Sequence, residues 1–146
     1  MKKVDLYIDG ACSGNPGLGG YCAILIYNGF EKVISGSEPD TTNNRMELFA
    51  VIKGLSALKE KCDVTVYSDS AYVIEAFNQD WIVSWMQNGW RTAAKKDVKN
   101  PDLWKMLVEL TQNHKVTFIK VKGHSDNEYN NRCDKIAVEE YKKLQV

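Results

Sequence analysis

The chain lacks any long apolar run, and its longest falls far short of the roughly 20 residues that a membrane-spanning helix needs. It also lacks a secretory signal. Met1-Lys2-Lys3 is basic, but Asp5 and Asp9 interrupt what would be the apolar segment behind it. The expectation is a cytoplasmic protein. Cysteine is sparse: Cys12, Cys22, Cys62 and Cys133 show no C-x-x-C spacing, and only two histidines accompany them. This argues against a zinc site and for reduced thiols in a reducing compartment. No repeat, low-complexity segment or linker divides the 146 residues, a length that suits one compact domain over residues 1–146.

Net charge is missing as well, since 19 basic residues balance 19 acidic ones. That total argues against a nucleic-acid partner, but the distribution argues the other way. Within residues 81–100, Arg91, Lys95, Lys96 and Lys99 face Asp97 alone, so this stretch carries +3 and the remainder −3. A local basic patch suffices for phosphate contact.

What is present reads as alternating strands and helices. Val4, Leu6 and Ile8 alternate along a first strand that ends at Asp9. After the glycine-rich SGNPGLGG come GYCAILIY and FEKVISGS, joined by Asn28-Gly29, a strong hairpin signal. From Asn44 the apolar spacing is helical through Leu48, Val51, Ile52, Leu55 and Leu58. VTVYSD reads as a buried strand ending at Asp69, followed by a helix near Ser70 and a tryptophan-rich helix around 81–88. Pro101 suits the first turn of another helix carrying Leu103, Leu107 and Leu110. VTFIKV is the last strand. The final helix begins near Asn127 and is expected to bury Cys133, Ile136, Ala137 and Leu144, whereas His114 reads as a surface residue. The order implies an α/β fold: a mixed five-stranded sheet, three antiparallel strands and then two parallel, flanked by helices.

Asp9 and Asp69 each stand at the carboxyl end of a strand, the edge where open α/β sheets bind ligands. If the two strands are parallel neighbours, both acids reach one crevice. They repel each other and are expensive to bury unless a cation joins them, and hard oxygen ligands favour magnesium or manganese. Glu47 has two readings. Three residues after Asn44, it fits a capping box, or it is a third ligand. Asp134, on a helix next to Cys133, reads by itself as an exposed helical aspartate, and nothing in periodicity brings it or Glu47 to Asp9 and Asp69.

The segments YIDGACSGNPG, TTNNRMEL, YSDSAYV and VKGHSDNEYNNRCDKIA resemble, in order and spacing, the four signatures of the bacterial type I ribonuclease H family. W-x-x-x-W and VKNPDLW between them extend the resemblance over nearly the whole chain. It implies a ribonuclease H-like fold and hydrolysis of the RNA strand of RNA–DNA hybrids, leaving a 5′-phosphate and a 3′-hydroxyl. Asp9, Glu47, Asp69 and Asp134 then match the carboxylates that hold two Mg²⁺ ions, with Mn²⁺ as a substitute. His124 matches a histidine beside the metals whose proposed role is proton transfer or product release.

The same resemblance assigns Gly10, Cys12, Asn15, Asn43 and Asn44 to hybrid contact. Short polar groups there meet 2′-hydroxyls in the shallow minor groove, and glycines permit close backbone approach. Cys12 reads equally as a small buried thiol, and capping by Asn44 is compatible with contact. Thr42 and Asn100 match a phosphate-binding pocket for the DNA strand. Trp81, Trp85, Arg91, Lys95, Lys96 and Lys99 look like a basic protrusion on the DNA backbone, although tryptophans at this spacing also pack as core.

Two departures from the fuller family pattern point to weaker, salt-sensitive binding rather than altered chemistry. Met86-Gln87-Asn88-Gly89 lacks a basic cluster, and Ala71 replaces a polar residue. Competing readings are another nuclease or recombinase of this fold, a catalytically silent hybrid-binding module, and the ribonuclease H domain of a reverse transcriptase. Met1 lies three residues before the first strand and Val146 closes the last helix, which favours a free-standing monomer with no obligate protein partner.

Overall fold

The computed structural model describes residues 1–122 and 127–145. Strands β1 (Lys2–Cys12), β2 (Gly17–Tyr27) and β3 (Phe30–Thr41) form an antiparallel meander. Strand β4 (Cys62–Ser68) lies parallel to β1, and β5 (Lys115–Lys120) parallel to β4, giving the order β3-β2-β1-β4-β5. The expected mixed sheet is present, with β1 and β3 running further than the alternation alone suggested. Asn28 (φ 49°) and Gly29 (φ 80°) both adopt left-handed backbone between paired Tyr27 and Phe30, which is why this dipeptide makes the hairpin.

Among the described residues five helices are interleaved with the later strands: α1 (Asn43–Ser56) before β4, α2 (Ala71–Asn78), α3 (Trp81–Gln87) and α4 (Pro101–Gln112) between β4 and β5, and α5 (Glu128–Lys142) last. Period-2 alternation sorts the sheet into two cores. Val4, Leu6 and Ile8 of β1 join Val64 and Val66 of β4 and the buried face of α1, with Trp104 and Leu107 of α4 in the same cluster. On the other side, Cys22 and Ile24 of β2 pack against Cys133 and Ala137 of α5. Helix α5 approaches so closely that a Cβ on Gly20 would collide with the carbonyl oxygen of Ala137. Strand β1 therefore runs through the middle with helices on both sides, and Asp9 lies near its carboxyl end.

Three expectations are corrected. His114 is buried rather than on the surface, because its Nδ1 accepts a hydrogen bond from the backbone N–H of Cys62 at 3.1 Å. Leu144 is exposed, lying beyond the end of α5 at Lys142, where the helical stripe no longer faces the sheet. The capping box at Asn44 and Glu47 does not form. Thr42 is the cap, and its Oγ1 accepts from the N–H of Arg45 at 3.3 Å. Glu47 thus lies a full turn inside the helix, and its side chain is free for another role.

Candidate metal centre and nucleic-acid interface

Strand β1 delivers Asp9 and α1 delivers Glu47, both buried, while Asp69 follows the end of the neighbouring parallel strand β4. One ligand oxygen from each of the three lies within 4.8 Å of the others. Gly10 makes this possible. A Cβ there would stand 2.6 Å from the Met46 carbonyl carbon, so only glycine lets α1 press onto β1 and bring Glu47 to Asp9. The tight neighbour of Gly10 is thus the protein's own helix.

The electrostatics show what such a cluster costs without a cation. Burial, then the charges of Asp69 and Asp134, push the Asp9 carboxyl up to about 8. Burial, then Asp9 and Asp69, push Glu47 well above the usual carboxylate range. The two carboxyls thus face each other across a buried gap in which neither is easily ionised while the site holds no cation. Asp9 Oδ1 also accepts from the Gly10 N–H at 3.0 Å. Glu47 Oε2 is buried with no hydrogen-bond partner among the described residues, a cost that a bound cation would remove. An all-oxygen set of this kind fits a hard divalent ion.

Asp134 sits on α5 directly after Cys133, which is buried against the sheet with its Sγ donating to the Tyr7 carbonyl at 3.4 Å. That anchorage places Asp134 near enough for its charge to act on Asp9, although it is not one of the three closest acids. It is half-buried rather than a fully exposed helical aspartate. His124 lies outside the described residues.

The loop after β1 is bound to the start of α1. Asn15 Oδ1 accepts from the Asn43 N–H at 3.0 Å, and the Cys12 thiol donates to the Thr41 carbonyl at 3.4 Å. Cys12 is partly exposed, so it is not the small buried thiol. Asn15 and Thr42 thus satisfy two of the free N–H groups at this helix end. Asn43 and Asn44 lie exposed in its first turn, beside the acids.

The protrusion follows α3. Trp81 and Trp85 are partly buried against the main core, and Trp85 meets the fully buried Trp104 edge-on, with ring centroids 5.4 Å apart. Packing therefore uses much of both rings. Beyond them the chain folds back on itself: Val98 donates to Trp90 at 3.0 Å and Thr92 to Lys96 at 2.8 Å. This small loop leaves Arg91, Lys95, Lys96 and Lys99 exposed.

Sequence reasoning missed Arg45 and Asp102, which form a two-pronged ion pair at 3.2 and 3.0 Å between the starts of α1 and α4. Arg45 Nη1 also donates to Asn100 Oδ1 at 3.2 Å. The available signal was the position of Arg45, inside the same short run as Thr42, Asn44 and Glu47.

Comparison with known proteins gives a consistent result. Residues 1–142 match the family model described as RNase H. The chain is 62% identical over 143 residues to Ribonuclease H of Acetivibrio thermocellus, spanning 98% of this chain and 97% of that protein. It is 60% identical over 136 residues to Ribonuclease H of Chlorobaculum parvum, spanning 93% of each. Among solved structures it is similar to LC9-RNase H1, described as a type 1 RNase H with the type 2 active-site motif. That likeness has a TM-score of 0.88 at 27% identity and spans 98% of this chain and 74% of the other. LC11-RNase H1, solved in complex with an RNA/DNA hybrid, shares the fold with a TM-score of 0.70 at 20% identity, over 98% of this chain and 99% of that one.

Proposed function

The chain belongs to the ribonuclease H family, and from that premise we propose that Asp9, Glu47, Asp69 and Asp134 hold two magnesium ions against the scissile phosphate of an RNA–DNA hybrid. The activity is endonucleolytic hydrolysis of the RNA strand. The observation that carries the site assignment is the convergence of Asp9, Glu47 and Asp69, with Glu47 Oε2 left unpartnered among the described residues. Bound divalent ions supply the charge that keeps the acids ionised, acidify the attacking water and offset negative charge on the leaving oxygen. Manganese serves as a substitute of similar hardness.

The protein's own part is placement. Asp9 and Glu47 are set close enough for both carboxylates to act as ligands to one ion. Attack of water at phosphorus breaks the bond to the 3′ oxygen, leaving a 5′-phosphate and a 3′-hydroxyl. His124, an imidazole able both to accept and to donate a proton, moves the proton that this exchange requires or assists product departure.

Gly10, Cys12, Asn15, Asn43 and Asn44 line the minor-groove side and meet the RNA strand's 2′-hydroxyls. Thr42 and Asn100 seat a phosphate of the DNA strand. Arg91, Lys95, Lys96 and Lys99, with the exposed portions of Trp81 and Trp85, hold the DNA backbone further along. Residues 1–146 act as one domain, monomeric and cytoplasmic. No described helix is long and apolar enough to cross a membrane.

The test compares labelled RNA–DNA hybrid, double-stranded RNA, double-stranded DNA and single-stranded RNA, with magnesium and with chelator. Cleavage confined to the RNA of the hybrid, and lost with chelator, is expected. Chelator-resistant cleavage, or cutting of double-stranded DNA, would overturn the reading.

A further inference from the structure

We propose that Tyr72 is a positioning residue for the DNA-strand phosphate seat: it fixes the Asn100 amide and presents its own hydroxyl hydrogen beside it. This rests on the reading of Asn100 as a phosphate contact. Asn100 caps α4 in left-handed backbone (φ 57°, ψ 43°) yet makes no side-chain capping hydrogen bond. An asparagine at a helix cap ordinarily uses its Oδ1 on that helix. Here the amide is committed elsewhere. Arg45 Nη1 donates to Oδ1 at 3.2 Å, and Nδ2 donates to the Tyr72 hydroxyl at 3.2 Å.

The chemistry of the donors forces this orientation. A guanidinium can only donate, so the amide oxygen must face Arg45 and the NH₂ must face Tyr72. An indole N–H can also only donate, and Trp104 Nε1 reaches the same Tyr72 oxygen at 2.9 Å. The Tyr72 oxygen thus accepts twice, and its own hydrogen must point away from both donors. Asn100 likewise keeps a second Nδ2 hydrogen that no described group accepts. Two uncharged donors remain on one half-buried spot, an arrangement that suits an anionic oxygen. The spot is held rigidly. Asp102 grips the far side of Arg45, and Trp104 is fully buried, with Tyr72 and Trp85 both edge-on to it. Through Trp104 the phosphate seat and the base of the protrusion share one anchor.

The experiment measures steady-state KM and kcat on an RNA–DNA hybrid for Tyr72→Phe, Asn100→Ala and the double variant, with thermal melts confirming the fold. Losing an oriented hydrogen bond to phosphate is expected to raise KM roughly tenfold in Tyr72→Phe. In the Asn100→Ala background the Tyr72→Phe penalty should shrink without vanishing, because the amide it orients is gone and only its own hydroxyl bond to phosphate is left to lose. Replacing DNA phosphates one at a time by neutral methylphosphonate should reveal a single position at which the Tyr72→Phe penalty disappears. An equal KM penalty with and without Asn100, or a loss confined to kcat, overturns the proposal. If Asn100→Ala raises KM while Tyr72→Phe does not, the phosphate seat stands and the role of Tyr72 falls; if neither does, the seat itself is wrong. Should Tyr72→Phe fail to fold, Arg45→Met removes the donor at the other end of the chain and is judged by the same criteria.

Discussion

Gly10 and Glu47 are packed so tightly that a Cβ on the glycine would stand 2.5 Å from the glutamate's backbone nitrogen. This contact joins β1 to α1 at the one point where two acids must meet. Gly10→Ala is expected to destabilise the protein by about 1–3 kcal/mol, since the obstructing atoms are backbone. It should also weaken metal binding, because Glu47 moves away from Asp9. Urea denaturation and calorimetric titration with magnesium measure the two effects. An alanine variant with unchanged stability would show that the helix has room to shift.

Asp9→Asn should abolish cleavage yet stabilise the protein when chelator is present. In the folded state the Asp9 carboxyl is raised to about 8, far above the ordinary value of an unfolded chain. A raised acid contributes stability that is fully present below the unfolded pKa and fades as pH climbs through the folded one. Without metal, stability should therefore decline between about pH 4 and pH 8. The asparagine variant should lose much of that slope and gain about 1–2 kcal/mol near neutrality. Melting curves across this range test it, and residual magnesium-dependent activity would count against the assignment.

His114 gives the opposite pH dependence. Burial, followed by the charge of Lys61, holds its pKa below the usual histidine value, and its Nδ1 is occupied by the Cys62 N–H. A lowered base favours the neutral ring in the fold, so its contribution is complete above the unfolded pKa. That contribution is lost as pH falls below about 6.5. His114→Phe is expected to flatten the acid side of the stability profile, despite losing a hydrogen bond. Chemical denaturation between about pH 5 and pH 8 is the measurement.

The exposed protrusion predicts a salt effect. Lys96→Ala should raise KM uniformly across hybrid sequences and reduce the slope of log affinity against log salt by about one unit. The same substitution at Lys53, on α1 away from the protrusion, serves as the comparison. A slope unchanged by Lys96→Ala would remove this residue from the DNA contact.

The sheet was legible because its signals are local: alternation in β1, the Asn28-Gly29 turn, and apolar runs for β4 and β5. The two strand-end acids followed from the same logic. Glu47 and Asp134 were not legible from periodicity, because what brings them in is the absence of side chains elsewhere. Gly10 admits α1 and Gly20 admits α5, and the cost of a Cβ at either site depends on a distant backbone atom. His114 was misread for a related reason. Its partner, Cys62, is 52 positions away and contributes only a backbone N–H, which leaves no mark in composition. The Arg45–Asn100–Tyr72 chain was hidden too, since it joins three helices whose crossing no spacing rule anticipates.

Helix α5 rests on the three antiparallel strands, whereas α1 presses on the opposite face of the same sheet. The proposed metal site would therefore draw Glu47 from one helical layer and Asp134 from the other, with Asp9 at the end of β1 between them. Ions held there would act as a rivet through the sheet, and their departure would leave like charges prying the layers apart. Amide hydrogen exchange along α5 should then run slower with the site filled than with it empty, so the final helix becomes a gauge of occupancy that needs no substrate.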